Sequence, residues 1–215
     1  MDTHHRHHSS AADKSKKPAS YSSIPFRNGP FQSLRDGPLP WILLVVSFAA
    51  YLATLQPWAF PGTPASLAAA VSGVLPNTSP SHFLWQRIVR LVGGSGPGMV
   101  FRMNLVSAVF GALSVFLCHR VMHRLLTLVL EPTQVGHLPT ARYDEAVRVS
   151  ARAARIGATA SALALAFCLP FWIVSTRISP HPFYVCWLLL CAQLLLTFSR
   201  TRQTIWAVLW ALKKD

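Results

Sequence analysis

Four apolar blocks, each bordered by basic residues, constrain this chain more than any other feature. The bodies of the first two read WILLVVSFAAYLATL (Trp41–Leu55) and MNLVSAVFGALSVFLC (Met103–Cys118). A helix needs about 20 predominantly apolar residues to cross the roughly 30 Å hydrocarbon core of a bilayer. With their flanks, the four blocks supply that length at 40–60, 102–124, 156–176 and 183–199. Composition agrees: 52% of the residues are hydrophobic and 13% are charged, against about 25% charged in a soluble domain. The expected fold is all-α, a polytopic membrane helical bundle with four transmembrane helices and interfacial helices in its first outer loop.

The net charge of +13 comes from 20 basic and 7 acidic residues. Sixteen of the 20 basic residues fall in the tail, in the stretch from Arg120 to Arg155 and at the C-terminal end; Arg87, Arg90, Arg102 and Arg177 make up the remainder. Basic residues accumulate on the cytoplasmic side of membrane proteins. Both termini are therefore expected in the cytoplasm and the 61–101 loop outside. The charge borders apolar blocks and comes with no base-stacking platform or nucleic-acid motif, so the expected partner is membrane lipid and not nucleic acid.

Residues 1–37 are too polar to fold and read as a disordered basic cytoplasmic tail. His4, His5, His7 and His8 there form either a weak divalent-metal tract or simply a polar tail. Residues 38–200 form the membrane domain, and 201–215 a short basic cytoplasmic end. No cleavable signal peptide is expected, because the first apolar block follows a long polar segment. Cys118, Cys168, Cys186 and Cys191 all lie inside apolar blocks and read as small packing residues, with no metal-ligand spacing.

Within the outer loop, Ala65–Leu75 has a helical pattern. Ser81–Val92 is amphipathic, with Phe83, Leu84, Ile88 and Leu91 on one face and Arg87 and Arg90 elsewhere on the wheel. Such a helix lies in the interface plane or packs against the bundle. Gly93, Gly94, Gly96, Pro97 and Gly98 then break the chain before the second span. Pro170 is an expected kink in the third span, and Gln193 is the one strongly polar side chain in the fourth.

The seven acidic residues are Asp2, Asp13, Asp36, Glu131, Asp144, Glu145 and Asp215. All fall on the expected cytoplasmic side, so an outward-facing site has no carboxylate for general-base work or cation binding. His82 and His181 remain as isolated outer candidates. Asn77-Thr78-Ser79 fits the short glycosylation acceptor pattern. No phosphate-binding loop, dinucleotide motif or Ser/His/Asp arrangement is present, and no metal or other cofactor is expected.

One stretch carries a family resemblance. A Gly-containing loop, an Ala-rich helix, a Pro-containing break and an amphipathic helix lead to Arg102-x-Asn104-Leu105-x-Ser107-Ala108-x-x-Gly111-Ala112-Leu113. This order resembles the N-terminal part of protein O-mannosyltransferase-like membrane proteins, largely uncharacterised bacterial proteins of the GT-C class of glycosyltransferases. Phe167-x-x-Pro170-Phe171-Trp172 resembles a later segment of the same proteins, and the likeness spans about residues 40 to 198.

The resemblance implies a multi-pass protein of the bacterial inner membrane that uses a polyprenyl-phosphate sugar. In that class an acidic residue of the first outer loop acts at the reaction centre. Here the family's acidic positions fall on Thr63 and Ser66, and neither side chain replaces a carboxylate. The His-Pro-Pro-Gly-Tyr-Pro turn is reduced to Asn77-Thr78-Ser79-Pro80-Ser81-His82, the later Glu-x-Tyr is missing, and such cores usually have more than four spans. The resemblance therefore implies a truncated or catalytically degenerate relative.

Arg87, Arg90 and Arg102 are the candidates for lipid-phosphate binding, although Arg102 also reads as a simple headgroup anchor. Asn104, Ser107 and Gly111 read as a helix-packing motif. The alternative is a non-catalytic small subunit or scaffold that binds a membrane-protein partner in a larger complex. A channel or transporter is weaker, because no span carries a charge in its middle.

Overall fold

The computed structural model describes residues 37–59, 61–74, 82–94, 98–130 and 140–212, with side chains except at 140–144 and 200–212. The tail, the glycosylation pattern, most of the degenerate turn and Lys213–Asp215 lie outside the described residues. Among the described residues seven helices run in the order α1 (Leu39–Ala53), α2 (Thr63–Ser72), α3 (Phe83–Gly93), α4 (Met99–Leu130), α5 (Thr140–Phe167), α6 (Leu169–Ser175) and α7 (His181–Leu212). Among the described residues there are no strands. The chain is an all-α membrane helical bundle.

α4 is the axis. It packs against α1, α3, α5, α6 and α7. Its 32 residues follow the glycine break and carry the whole second apolar block. α5 lies along it through an alanine stripe, Ala154, Ala158, Ala162 and Ala166, which is 1% exposed or less. A stripe of methyl groups lets two helix backbones approach closely where lipid offers no hydrophobic drive. On the other side Tyr51 of α1 packs with Ala108, Ala112 and Val115 of α4 and Phe171 of α6.

α1 is shorter than the expected 40–60 span. Pro57 has no N–H for the Ala53 carbonyl and disfavours helical backbone at Gln56, so the helix caps at Thr54. Its 15 residues reach about 22 Å at 1.5 Å each, short of the roughly 30 Å of hydrocarbon.

The 156–176 block is broken. Cys168 takes an extended conformation, and α5 and α6 meet at 62°. Pro170 is the cause: it enters α6 at its first turn and cannot continue the ladder of α5.

Two described helices, α4 and His181–Ser199 within α7, are long and apolar enough to cross a membrane; the bent α5–α6 pair makes a third if counted as one span. The structure thus supplies two or three such helices where the sequence suggested four, for the two proline reasons just given. Helices also outrun the apolar blocks. α5 begins at Thr140, inside what reads as a polar loop, and α7 continues to Leu212 past Arg200 and Arg202. Charge marks where a helix leaves lipid, not where its hydrogen-bond ladder stops.

α2 and α3 form a separate layer over one end of the bundle. α2 is bounded by Gly62 and by Gly73, whose left-handed backbone closes the last turn as Val74 N–H donates to Ala69 O at 3.0 Å. Trp85 and Val89 of α3 bury against Met103 and Val106 of α4 and Phe183 of α7, while Val71 of α2 joins the same cluster. Phe83, Leu84 and Leu91 remain exposed on the far side of α3. The face that packs on the bundle is Trp85, Gln86, Val89 and Gly93, not the expected apolar face of Phe83, Leu84, Ile88 and Leu91.

Candidate functional site

Thr63, Ser66, Arg87, Arg90 and Arg102 belong to the end of the bundle that α2, α3 and the first turn of α4 build, whereas Ser107 and Gly111 lie two to three turns further along α4. Thr63 and Ser66 sit on the opening turn of α2, both exposed, and Ser66 Oγ donates to Thr63 O at 2.9 Å. Neither side chain contributes a formal charge to that turn.

The three arginines have separate neighbours. The Arg87 guanidinium carbon stands 5.0 Å from the centre of the Phe83 ring on the exposed side of α3. Arg90 reaches α2, where Nη2 donates to Ala70 O at 3.2 Å. Arg102 lies against the C-cap of α3: a β-carbon at Gly94 would stand 3.6 Å from its Nη1. The last carbonyls of a helix lack intrahelical donors and carry partial negative charge. Arg90 thus caps the final turn of α2 and Arg102 lies beside that of α3. Ala70 is seven residues along α2 from Thr63, so the Arg90 contact and the Thr63 turn are about 10 Å apart along the helix.

The motif on α4 is buried. Asn104 Nδ2 donates to the Gln56 carbonyl at 2.5 Å, just past the end of α1. That carbonyl lies in the non-helical stretch before Pro57, and the side chain supplies it with a donor. Ser107 Oγ donates to Ser179 O and accepts from Ser179 N–H, both at 3.2 Å, which fixes the connector between α6 and α7. Ser114 Oγ reaches Pro182 O at 3.2 Å. Between them, a β-carbon on Gly111 would stand 2.6 Å from Ser175 Oγ and 3.1 Å from Tyr51 Cε2. The small-residue face is where α1, α4 and α6 cross.

One further polar contact was not legible beforehand. His82 Nδ1 and the Tyr184 hydroxyl are hydrogen-bonded and tie the start of α3 to α7. No local signal links positions 102 residues apart. The Trp85 indole N–H is fully buried and has no acceptor among the described residues. His181 is exposed at the start of α7. Among the described residues no three His, Cys, Asp or Glu side chains come together as a metal site would need.

What the arrangement offers is cationic and apolar, with neutral hydroxyls on α2. No acidic residue occurs anywhere from 37 to 130 or from 146 to 214. The site has no carboxylate to accept a proton or balance a divalent ion.

Residues 67–212 match the family model for the N-terminal domain of protein O-mannosyl-transferase TMEM260. The match takes in α3 to α7 and most of α2; Thr63 and Ser66 precede it. No curated protein and no solved structure matches the chain. With more than half its length covered, the chain belongs to the family of the protein O-mannosyl-transferase TMEM260 N-terminal domain.

Proposed function

We propose that this chain is a catalytically degenerate relative of the polyprenyl-phosphate-sugar-dependent glycosyltransferases of the GT-C class. Its α2–α3 layer faces the outside and receives the phosphate of a polyprenyl-phosphate sugar, with Arg87, Arg90 and Arg102 supplying positive charge. Both termini lie in the cytoplasm, and the membrane is the inner membrane of a bacterium. The observation that carries the reading is the family match combined with Arg87 and Arg90 on α3, Arg102 on the first turn of α4 and no acidic residue from 37 to 130. Guanidinium groups suit phosphate recognition through charge-assisted hydrogen bonds. Exposed Phe83, Leu84 and Leu91 beside them suit the isoprenoid chain.

The test uses the purified full-length chain with a polyprenyl phosphate. The wild-type protein should bind it, and an Arg87→Gln, Arg90→Gln, Arg102→Gln triple variant should not. Sugar transfer should be absent from the wild-type chain. Absence of lipid-phosphate binding in both the wild-type chain and Thr63→Asp discards the proposal.

A second reading, a non-catalytic subunit or scaffold of a larger membrane complex, draws on α7. Only 17% of its span window is buried inside the chain, against 56% for α4. Trp187, Leu188, Leu194, Leu195 and Phe198 stay bare. The small-residue face of α4 does not serve that reading, because α1 and α6 already occupy it. A mass measurement in native detergent separates the two: a lone monomer argues against the subunit.

A further inference from the structure

We propose that the outward face of α5 docks an anionic phospholipid of the adjoining leaflet, with Arg152 and Arg155 on its phosphate and Leu163 and Phe167 along its acyl chain. This face begins at the opposite end of the bundle from the α2–α3 layer and is independent of the function proposed above.

The first argument is the order of residues along one face. The stripe of Ala154, Ala158, Ala162 and Ala166 turns toward α4 and is 1% exposed or less. Arg148, Arg152, Ile156, Leu163 and Phe167 stand away from that stripe, and all five are exposed. Residues three, four or seven apart share a helix face. A single line of surface therefore changes from cationic to apolar between Arg152 and Ile156. A phospholipid presents the same order, phosphate and then acyl chain.

The second is depth. Ala162 and Ala166 share a cluster with Ala108, Ala112 and Val115 of α4. Near the other end of α5, a β-carbon on Gly157 would stand 2.8 Å from Leu126 Cδ1. The two helices thus run antiparallel. Leu126 follows Arg102 by 24 positions, about 36 Å along α4. A bilayer has about 30 Å of hydrocarbon and about 40–45 Å with its headgroups. With Arg102 at one headgroup level, Gly157 stands where the hydrocarbon ends at the other. Arg155 and Arg152 then enter the headgroup layer, while Leu163 and Phe167 run back into the acyl region.

The third is charge. Arg152 and Arg155 are three positions apart, with β-carbons about 5–6 Å from each other. Two guanidinium groups at that spacing can share one phosphate. Among the described side chains Glu145 is the one acidic group. It stands seven positions from Arg152, about 10 Å along the helix, and Arg148 lies between them. An acidic protein segment would match the arginines but not the apolar continuation at Leu163 and Phe167; a lipid matches both.

The experiment places the full-length chain in nanodiscs of phosphatidylcholine with a small fraction of phosphatidylglycerol and reads bound lipid by native mass spectrometry. The wild-type chain should retain phosphatidylglycerol in preference to phosphatidylcholine. Removing a basic residue at headgroup depth weakens attraction to anionic lipid about fivefold, so Arg152→Gln with Arg155→Gln should weaken retention about 25-fold. Lys16→Gln with Lys17→Gln removes the same charge from the N-terminal tail and should leave retention unchanged.

A second measurement needs no variant. Phosphatidylglycerol with a diazirine on its acyl chain should label residues 156–167 of the wild-type chain more than the matching phosphatidylcholine does. Inorganic phosphate at matched ionic strength should not displace the lipid. Unchanged retention in the α5 double variant, equal losses in the α5 and tail variants, equal labelling by the two lipids, or displacement by inorganic phosphate overturns the proposal.

Discussion

The Tyr51 hydroxyl donates to the Ala166 carbonyl at 3.0 Å, the acceptor that Pro170 deprives of its own helix donor. In a continuous helix the N–H of residue 170 would bond residue 166, and proline has none. A broken helix in a membrane persists only where neighbours satisfy the freed backbone groups. Here the neighbour is a tyrosine 115 positions away. Tyr51→Phe should therefore destabilise the bundle by about 1 kcal/mol, read from denaturant or thermal unfolding in detergent. Pro170→Ala restores the donor. The Tyr51→Phe penalty should shrink in that background, and a fully additive double mutant contradicts the assignment.

Gly111 should tolerate no side chain. A β-carbon there meets Ser175 Oγ at 2.6 Å and Ser175 Cβ at 2.8 Å. Serine is too short to swing away, so α4 and α6 must separate. Gly111→Ala should cost about 1–3 kcal/mol, again by unfolding in detergent. Gly111→Ala with Ser175→Gly should recover part of the loss, because the second change removes the atoms that clash. A Gly111→Ala protein as stable as the wild type refutes the close crossing.

How much of this was legible in the sequence varies with the kind of interaction. The end of α3 was legible in the Gly93–Gly94 pair, because glycine acts on the local backbone, whereas the expected Ala65–Leu75 helix runs from Thr63 to Ser72 because Gly73 ends it in a left-handed turn. The body of α4 was legible for the same reason: its blocks are contiguous. The ends of α5 and α7 were not. Arginines at 148–155 and 200–202 report the edge of lipid, and a helix crosses that edge without breaking. Pro170 announced a kink but not the 62° turn, since the angle depends on Tyr51 and Ser175 packing into it. Within the site, the arginines were identifiable by charge, yet their separate neighbours, Phe83, Ala70 and Gly94, follow only from how α2 and α3 stack.

Asn104 offers a local test of that stacking. Its amide holds the Gln56 carbonyl at 2.5 Å and thus pins the segment that leads from α1 to α2. Asn104→Leu keeps the volume and removes the donor. Amide hydrogen exchange over 54–59 should speed up by roughly fivefold, the equivalent of about 1 kcal/mol. Exchange in the middle of α4 should stay as it was. Unchanged exchange over 54–59 means the contact does not hold the segment.

The orientation proposed for the bundle is open to direct chemical labelling. It rests on the sixteen of 20 basic residues that the expected four-span layout puts on one side, with α2 and α3 on the other. Ser66 is exposed on α2 and Val147 is exposed near the start of α5. In a background with Cys118, Cys168, Cys186 and Cys191 replaced, Ser66→Cys should react with a membrane-impermeant maleimide on intact cells. Val147→Cys should react only after the cells are permeabilised. The two positions lie on opposite sides of α4 only if that helix crosses the bilayer, so the pair tests span and direction together. Labelling of Val147→Cys alone on intact cells inverts the protein, and the arginines of the α2–α3 layer then face the cytoplasm instead of an outward-facing lipid-linked sugar.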